Sequence, residues 1–345
     1  MAILLFILAL AAAGGAHAGE LDGAISQGQI EGVRALLDAN PQLVSAPGPN
    51  ELTPLHFACM YRQEAIAELL IQRGANVRAT SGIGDTPLHL CASSKQGRIV
   101  EILLRRGADV KAKNASESTP LHYATYSGEP AIMSAMLAAG ADPAARDRYG
   151  STPLHEAART RVVATAALLL SRGVPVNVVD DHGKTPLLRA VDPGMTRPPE
   201  PMIEFLLDRG ARIDHRDKDG RTTLQIALKS KLISAAQFLV ARGADINGRD
   251  EAGHTLLQLA VIGRQNEFAR VLLKRGIDAN VADREGLTAL HYASWDGSVE
   301  LVQMLFAAGA QTNPRDKRGF TPLWYAVRLG RGGVETALRS HAGTE

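Results

Sequence analysis

Threonine recurs at positions 53, 86, 119, 152, 185, 222, 255, 288 and 321, in steps of 33 residues broken once by a step of 37. Each threonine opens a related string, clearest in Thr53-Pro54-Leu55-His56, Thr86-Pro87-Leu88-His89, Thr119-Pro120-Leu121-His122 and Thr152-Pro153-Leu154-His155. A fixed period of this length marks a repeat architecture, in which one supersecondary element stacks on copies of itself. Such an element cannot bury its apolar face alone, so the chain folds as an array and its function belongs on the array's surface. The 345-residue length would suggest two domains in an ordinary globular chain, but the period overrides that prior and predicts one continuous stack.

Within a repeat the spacing is regular. Ala stands five residues after the threonine in every repeat except the second, where Cys91 replaces it. An apolar pair follows half a repeat later (Leu69-Leu70, Leu103-Leu104, Leu206-Leu207, Leu272-Leu273), then Arg-Gly-Ala at 73–75, 106–108, 209–211 and 242–244. Two short apolar-periodic segments per repeat predict two helices. Threonine is a good N-cap, proline suits the first helical position, and the glycine after the second helix supplies a left-handed C-cap. Stretches such as Asp217-Lys218-Asp219-Gly220 carry turn chemistry, because Asp bonds its own backbone and Gly accepts positive φ.

These residues (Thr-Pro-Leu-His, the alanine one turn on, Leu-Leu, Gly-Ala and Asp-x-x-Gly-x-Thr) resemble the ankyrin repeat family over roughly residues 20–341. The resemblance implies an all-α fold, an ankyrin-repeat solenoid of stacked antiparallel helix pairs with projecting β-hairpin loops. The expected layout is a signal peptide over 1–18, then a single solenoid over 19–345. That solenoid comprises an N-terminal capping unit over 19–50 and nine repeats starting near the nine threonines, the last truncated as a C-terminal cap with its second helix cut short near Ser340. Departures are local. Repeat five reads Thr185-Pro186-Leu187-Leu188 and carries four extra residues around Asp192–Pro201; repeats six and seven have Gln225 and Gln258 at the histidine position; the last has Trp324 there.

Ile3 to Ala13 is an uncharged apolar run followed by Ala16-His17-Ala18, which reads as an export signal cleaved after Ala18, with a retained anchor as the competing reading. The run is short for a membrane span, so no stable insertion is expected after cleavage. An exported, periplasmic or secreted location is the expectation. Net charge is +2, which creates no global basic field and no default expectation of nucleic acid. Cys59 and Cys91 lie in the first helices of adjacent repeats, offset by one position. Helices pack about 8–10 Å apart, beyond disulfide reach, so two buried thiols are expected ahead of a bridge.

Catalytic, metal and cofactor sites are not expected. The histidines at 56, 89, 122, 155 and 291 fall one per repeat, so neighbours stand about one helix spacing apart and cannot share a zinc ion. The expected role for each is a hydrogen bond from its own helix start to the neighbouring loop. His155-Glu156-Ala157-Ala158-Arg159 lacks the second histidine of a zincin helix. Asp180-Asp181 sits at a hairpin tip and is expected to be solvated, and the sequon at Asn114 is expected to be a plain turn asparagine.

The resemblance places partner-binding side chains at the hairpin tips and at positions seven and eight after the threonine. Met60, Tyr61, Tyr126, Arg159, Lys229, Trp295 and Arg328 are the helix candidates, with Arg148 and Tyr149 at a tip. Aromatics and arginine are the residues that binding hot spots favour. Phe57, Tyr123, Tyr292 and Tyr325, four after the threonine, are expected to pack between repeats. The expected function is a monomeric, non-catalytic scaffold that recognises another protein through the concave helix face and the tips. A secreted effector or inhibitor acting on a host or competitor protein is the alternative.

Overall fold

A computed structural model describes residues 19–342. The expected leader over 1–18 lies outside them. The chain forms two compact units that divide after Asp181, at the tip between repeats four and five. Nine helix pairs follow a capping pair (19–26 and Ile30–Ala39). The first helices of the N-terminal unit are Pro54–Met60, Pro87–Ser93, Pro120–Ser127 and Pro153–Thr160; those of the C-terminal unit are Pro186–Ala190, Thr223–Lys229, Leu256–Ile262, Ala289–Asp296 and Pro322–Arg328.

Each first helix is short because its ends are written into the sequence. Threonine in extended conformation caps it, and proline at the first helical position is present in six of the nine. Helices of one to two turns are unstable alone, so tertiary burial must hold them. The leucine two after the threonine supplies that burial: Leu55, Leu88, Leu121, Leu154, Leu187, Leu224, Leu257 and Leu290 are all inaccessible. Each such burial contributes about 1.5–3 kcal/mol. Second helices add Leu70, Leu103, Met136, Leu169, Leu206, Leu239, Leu272 and Leu305 from the other side.

The projecting loops are turns rather than β-hairpins: among the described residues the one bridge is Arg249 with Thr255. Neighbouring tips are nonetheless tied together by one backbone hydrogen bond at most steps; among the described residues the step from the tip at 217–220 to that at 250–253 lacks it. Gly82 N donates to Asn50 O, Ala115 N to Ile83 O, Arg148 N to Ser116 O and Asp181 N to Tyr149 O in the N-terminal unit (2.8–2.9 Å). Lys218 N to His182 O, Arg284 N to Ala252 O and Lys317 N to Glu285 O repeat the pattern in the C-terminal unit (2.9–3.3 Å). One bond at a step is too few for a ladder, so the tips form no strands among the described residues. Gly84, with φ of 80°, makes one of these turns in a left-handed conformation that favours glycine.

Four sequence expectations are corrected. Cys59 and Cys91 are joined in a disulfide, with Cα atoms 4.6 Å apart. Average helix spacing does not hold here: small residues sit beside the bridge on both helices (Ala58 and Cys59, Cys91 and Ala92, all fully buried), and small side chains let two backbones approach. Asp180 is buried, not solvated, although Asp181 beside it is exposed. The last second helix, expected to stop near Ser340, runs Gly332–Ala342. The inserted segment of repeat five is shorter than expected as a loop, since Glu200 and Pro201 already belong to the second helix Glu200–Leu207.

The bridge closes 32 residues of chain, and a loop of that size is expected to stabilise the protein by about 2–4 kcal/mol. Cys59→Ala with Cys91→Ala should therefore lower the urea midpoint of the oxidised protein, and the folded wild type should take up no thiol label until reduced. Labelling of both cysteines in the folded, unreduced protein would refute the bridge.

Candidate protein-binding surface

The histidine column belongs to the scaffold. The Thr53 amide donates to His56 Nδ1 at 3.0 Å, so that nitrogen carries no proton and Nε2–H is left to donate to the Asp85 carbonyl of the next repeat, also at 3.0 Å. His89, His122 and His291 repeat this with the carbonyls of Ser118, Ser151 and Phe320 (3.1–3.3 Å). The Thr152 amide likewise donates to His155 Nδ1. Gln258 does the same job in full: Oε1 accepts from the Thr255 amide and Nε2 donates to the Leu287 carbonyl. Gln225 caps Thr222, but its Nε2 finds no partner among the described residues, so the cap survives there and the tie to the next repeat does not.

A second ladder runs along the tips. Asn114, Asp147, Asp217, Asp283 and Asp316 each accept the backbone N–H groups two and four residues on (2.8–3.1 Å). Asn114 therefore serves as a turn residue, as expected. It is buried, and its Nδ2 is occupied by Asp85 and by the Tyr123 hydroxyl. The three Thr+4 tyrosines donate to loop aspartates. Tyr123 donates to Asp85 (3.0 Å), Tyr292 to Asp283 (2.6 Å) and Tyr325 to Asp316 (2.7 Å). Burial, then the Asp85 charge and hydrogen bond, push the Tyr123 phenol up to about 12, so it stays a donor at neutral pH. This column is architecture.

The side chains left over are those at Thr+7 and at the tips. Met60 and Tyr61 are exposed, with Phe57 stacked against Tyr61 at 6.3 Å. Tyr126 is 58% exposed and Trp295 is 50% exposed, values that burial in the stack cannot explain. Tyr126 stands at the edge of a cavity of about 230 Å³ lined by His122, Tyr123, Asp147, Thr152 and Glu156 among others. Arg159 lies 5.6 Å above the Tyr126 ring and is held there by Glu156, so it frames that aromatic site. Tyr149 and Arg148 are exposed at their tip; the Arg148 guanidinium donates to the Ala115 carbonyl. Lys229 and Arg328 are exposed in the C-terminal unit.

Several basic side chains of repeats four and five are not available to a partner. Arg161 is buried, and Arg189 and Lys184 both pair with Asp192 (3.3 and 3.0 Å). At Thr+8 the surface is also patchy, since Ser127 and Thr160 are buried. Ile262 was not among the expected binding residues, yet at 47% exposure it shares the Thr+7 register with Trp295. Its place in that register was the signal that could have found it.

The family model described as Ankyrin repeats (3 copies) matches overlapping segments that run from residue 21 to residue 344. The chain belongs to the ankyrin repeat family. Ankyrin repeats are generally scaffolds for protein–protein interaction, and the family is typically non-catalytic. No curated protein matches the chain.

Burial lowers the proton affinity of His56, His89, His122 and His291 below the ordinary value of 6.5, against the opposing pull of their carbonyl partners. The folded protein holds these rings neutral while the unfolded chain protonates them more readily, so their contribution is complete above about pH 6.5 and is lost as pH falls. The urea midpoint should fall between pH 8 and pH 5. His122→Gln, which keeps the cap as Gln258 does, should leave the protein folded and flatten that slope; an unchanged slope would assign the acid sensitivity to other groups.

Proposed function

We propose that this protein is an exported, non-catalytic scaffold that acts as a monomer and binds another protein through the exposed face of its first helices and its tips. The observation that carries this is the half-exposed state of Tyr126 and Trp295 at a register the stack does not use. Large aromatics left in water are costly as an apolar patch and favourable as anchors for a partner. The cavity beside Tyr126 and the Arg159–Glu156 pair that frames it give an incoming side chain both apolar and polar contacts.

Two separate features support export: the apolar run at residues 3–13 ahead of Ala16-His17-Ala18, and the Cys59–Cys91 bridge, which persists in oxidising compartments and is rare in reducing ones. The bridge favours the same compartments in which an effector or inhibitor of a foreign protein would work. That biology remains the second reading.

Cross-linked pull-down from a native extract, read by mass spectrometry, should recover one dominant partner with wild-type protein. Trp295→Ala combined with Tyr126→Ala should remove it; undiminished capture would exclude these two anchors. Sequencing the mature protein should give Gly19 at its N-terminus, and an intact Met1 in the purified native protein would overturn export by cleavage.

A further inference from the structure

Lys229, Ile262, Trp295 and Arg328 each stand seven residues after the threonine of repeats six to nine. All four lie in the last turn of their first helices and all are exposed. Successive first helices pack on one another in this unit, so neighbouring members of the row stand about 8–10 Å apart and the row spans roughly 25–30 Å. Trp295 gives one ring face to Tyr325, stacked at 5.4 Å, and remains half-exposed. The row therefore reads cation, aliphatic, aromatic, cation.

The turns beside the row strengthen its sign. Positions 229–231, 262–264, 295–297 and 328–331 hold five cations (Lys229, Lys231, Arg264, Arg328, Arg331) and one anion, Asp296. Arg264 already pairs with Asp296 at 2.6 Å. The remaining four positive charges surround the two apolar side chains, an arrangement that steers and selects an acidic partner.

We propose that this row is the docking register for an acidic amphipathic helix of a partner protein, with two apolar side chains flanked by carboxylates at seven-residue intervals. The inference rests on the protein-binding reading above and names the kind of partner. Spacing decides between helix and strand. Seven residues of α-helix advance about 10.5 Å, close to one repeat. An extended chain returns to the same face every second residue, in steps of about 6.6 or 13 Å, and falls out of register. The drift of about 20° per heptad still leaves four such side chains on one side of the helix.

The probe is a synthetic helical peptide of about 25 residues on an Ala/Gln background, long enough for the row, with Glu, Leu, Leu and Glu at seven-residue intervals. Its control has the same composition with the four residues five apart, which spreads them around the helix. Anisotropy of the labelled peptide with the full mature chain should show binding that weakens at least about tenfold for the re-spaced peptide, for Trp295→Ala, and for Lys229→Glu with Arg328→Glu. Glu101→Ala, on an exposed second-helix position of the other unit, should leave it unchanged. Because all three substituted positions are exposed, circular dichroism should report intact folding. Equal binding of the two peptides, or binding of neither, would overturn the proposal. Partner capture that resists Lys229→Glu with Arg328→Glu would leave the scaffold reading standing and remove this register. A chain that captures no protein at all would remove both.

Discussion

The structure depends on one small hydrogen-bonded device, repeated. A threonine amide donates to a histidine Nδ1, and that single bond sets the tautomer, so the opposite edge of the ring must donate. The same imidazole thereby caps its own short helix and holds the carbonyl of the next repeat. Helices of seven or eight residues cannot sustain themselves, and the ring joins their local order to the stacking that stabilises them. Burial is what makes the device work, because it keeps the ring neutral and able to act as acceptor on one side and donor on the other.

The carboxylate ladder at the tips follows the same logic with different chemistry. Each aspartate satisfies two turn amides and, in Asp283 and Asp316, also receives a tyrosine hydroxyl from its own repeat's first helix. Loops and helices are thus fastened by side chains that look, residue by residue, like candidates for catalysis or recognition. Once histidine, aspartate and the Thr+4 tyrosines are committed to this work, the surface available for a partner shrinks to Thr+7 and parts of the tips. Tyr126 and Trp295 gain their meaning from that subtraction.

How much of this was legible follows from where each property resides. Period, caps and turn glycines are local, and they place the start of every first helix, from Pro54–Met60 to Pro322–Arg328, directly after its threonine. The architectural role of the histidines was legible too, because one residue per repeat cannot converge on a single ion. Pairings across repeats were not. The disulfide was missed because an average helix spacing was applied to a seam of small residues. Nor does the linear string show that Arg161 is buried, or that Arg159 lies over the Tyr126 ring and is tied to Glu156.

The sequence by itself determined the family, the length of the repeat, the ends of the helices and the residues that hold one repeat to the next. Those depend on short-range geometry, which a periodic string records directly. Tertiary structure alone decided that Cys59 meets Cys91, that Asp180 goes inside, and that Arg161 is buried. Each of these turns on how closely two neighbouring backbones approach and which side chain fills the space between them. A linear pattern carries that information only as residue size, and packing converts size into distance.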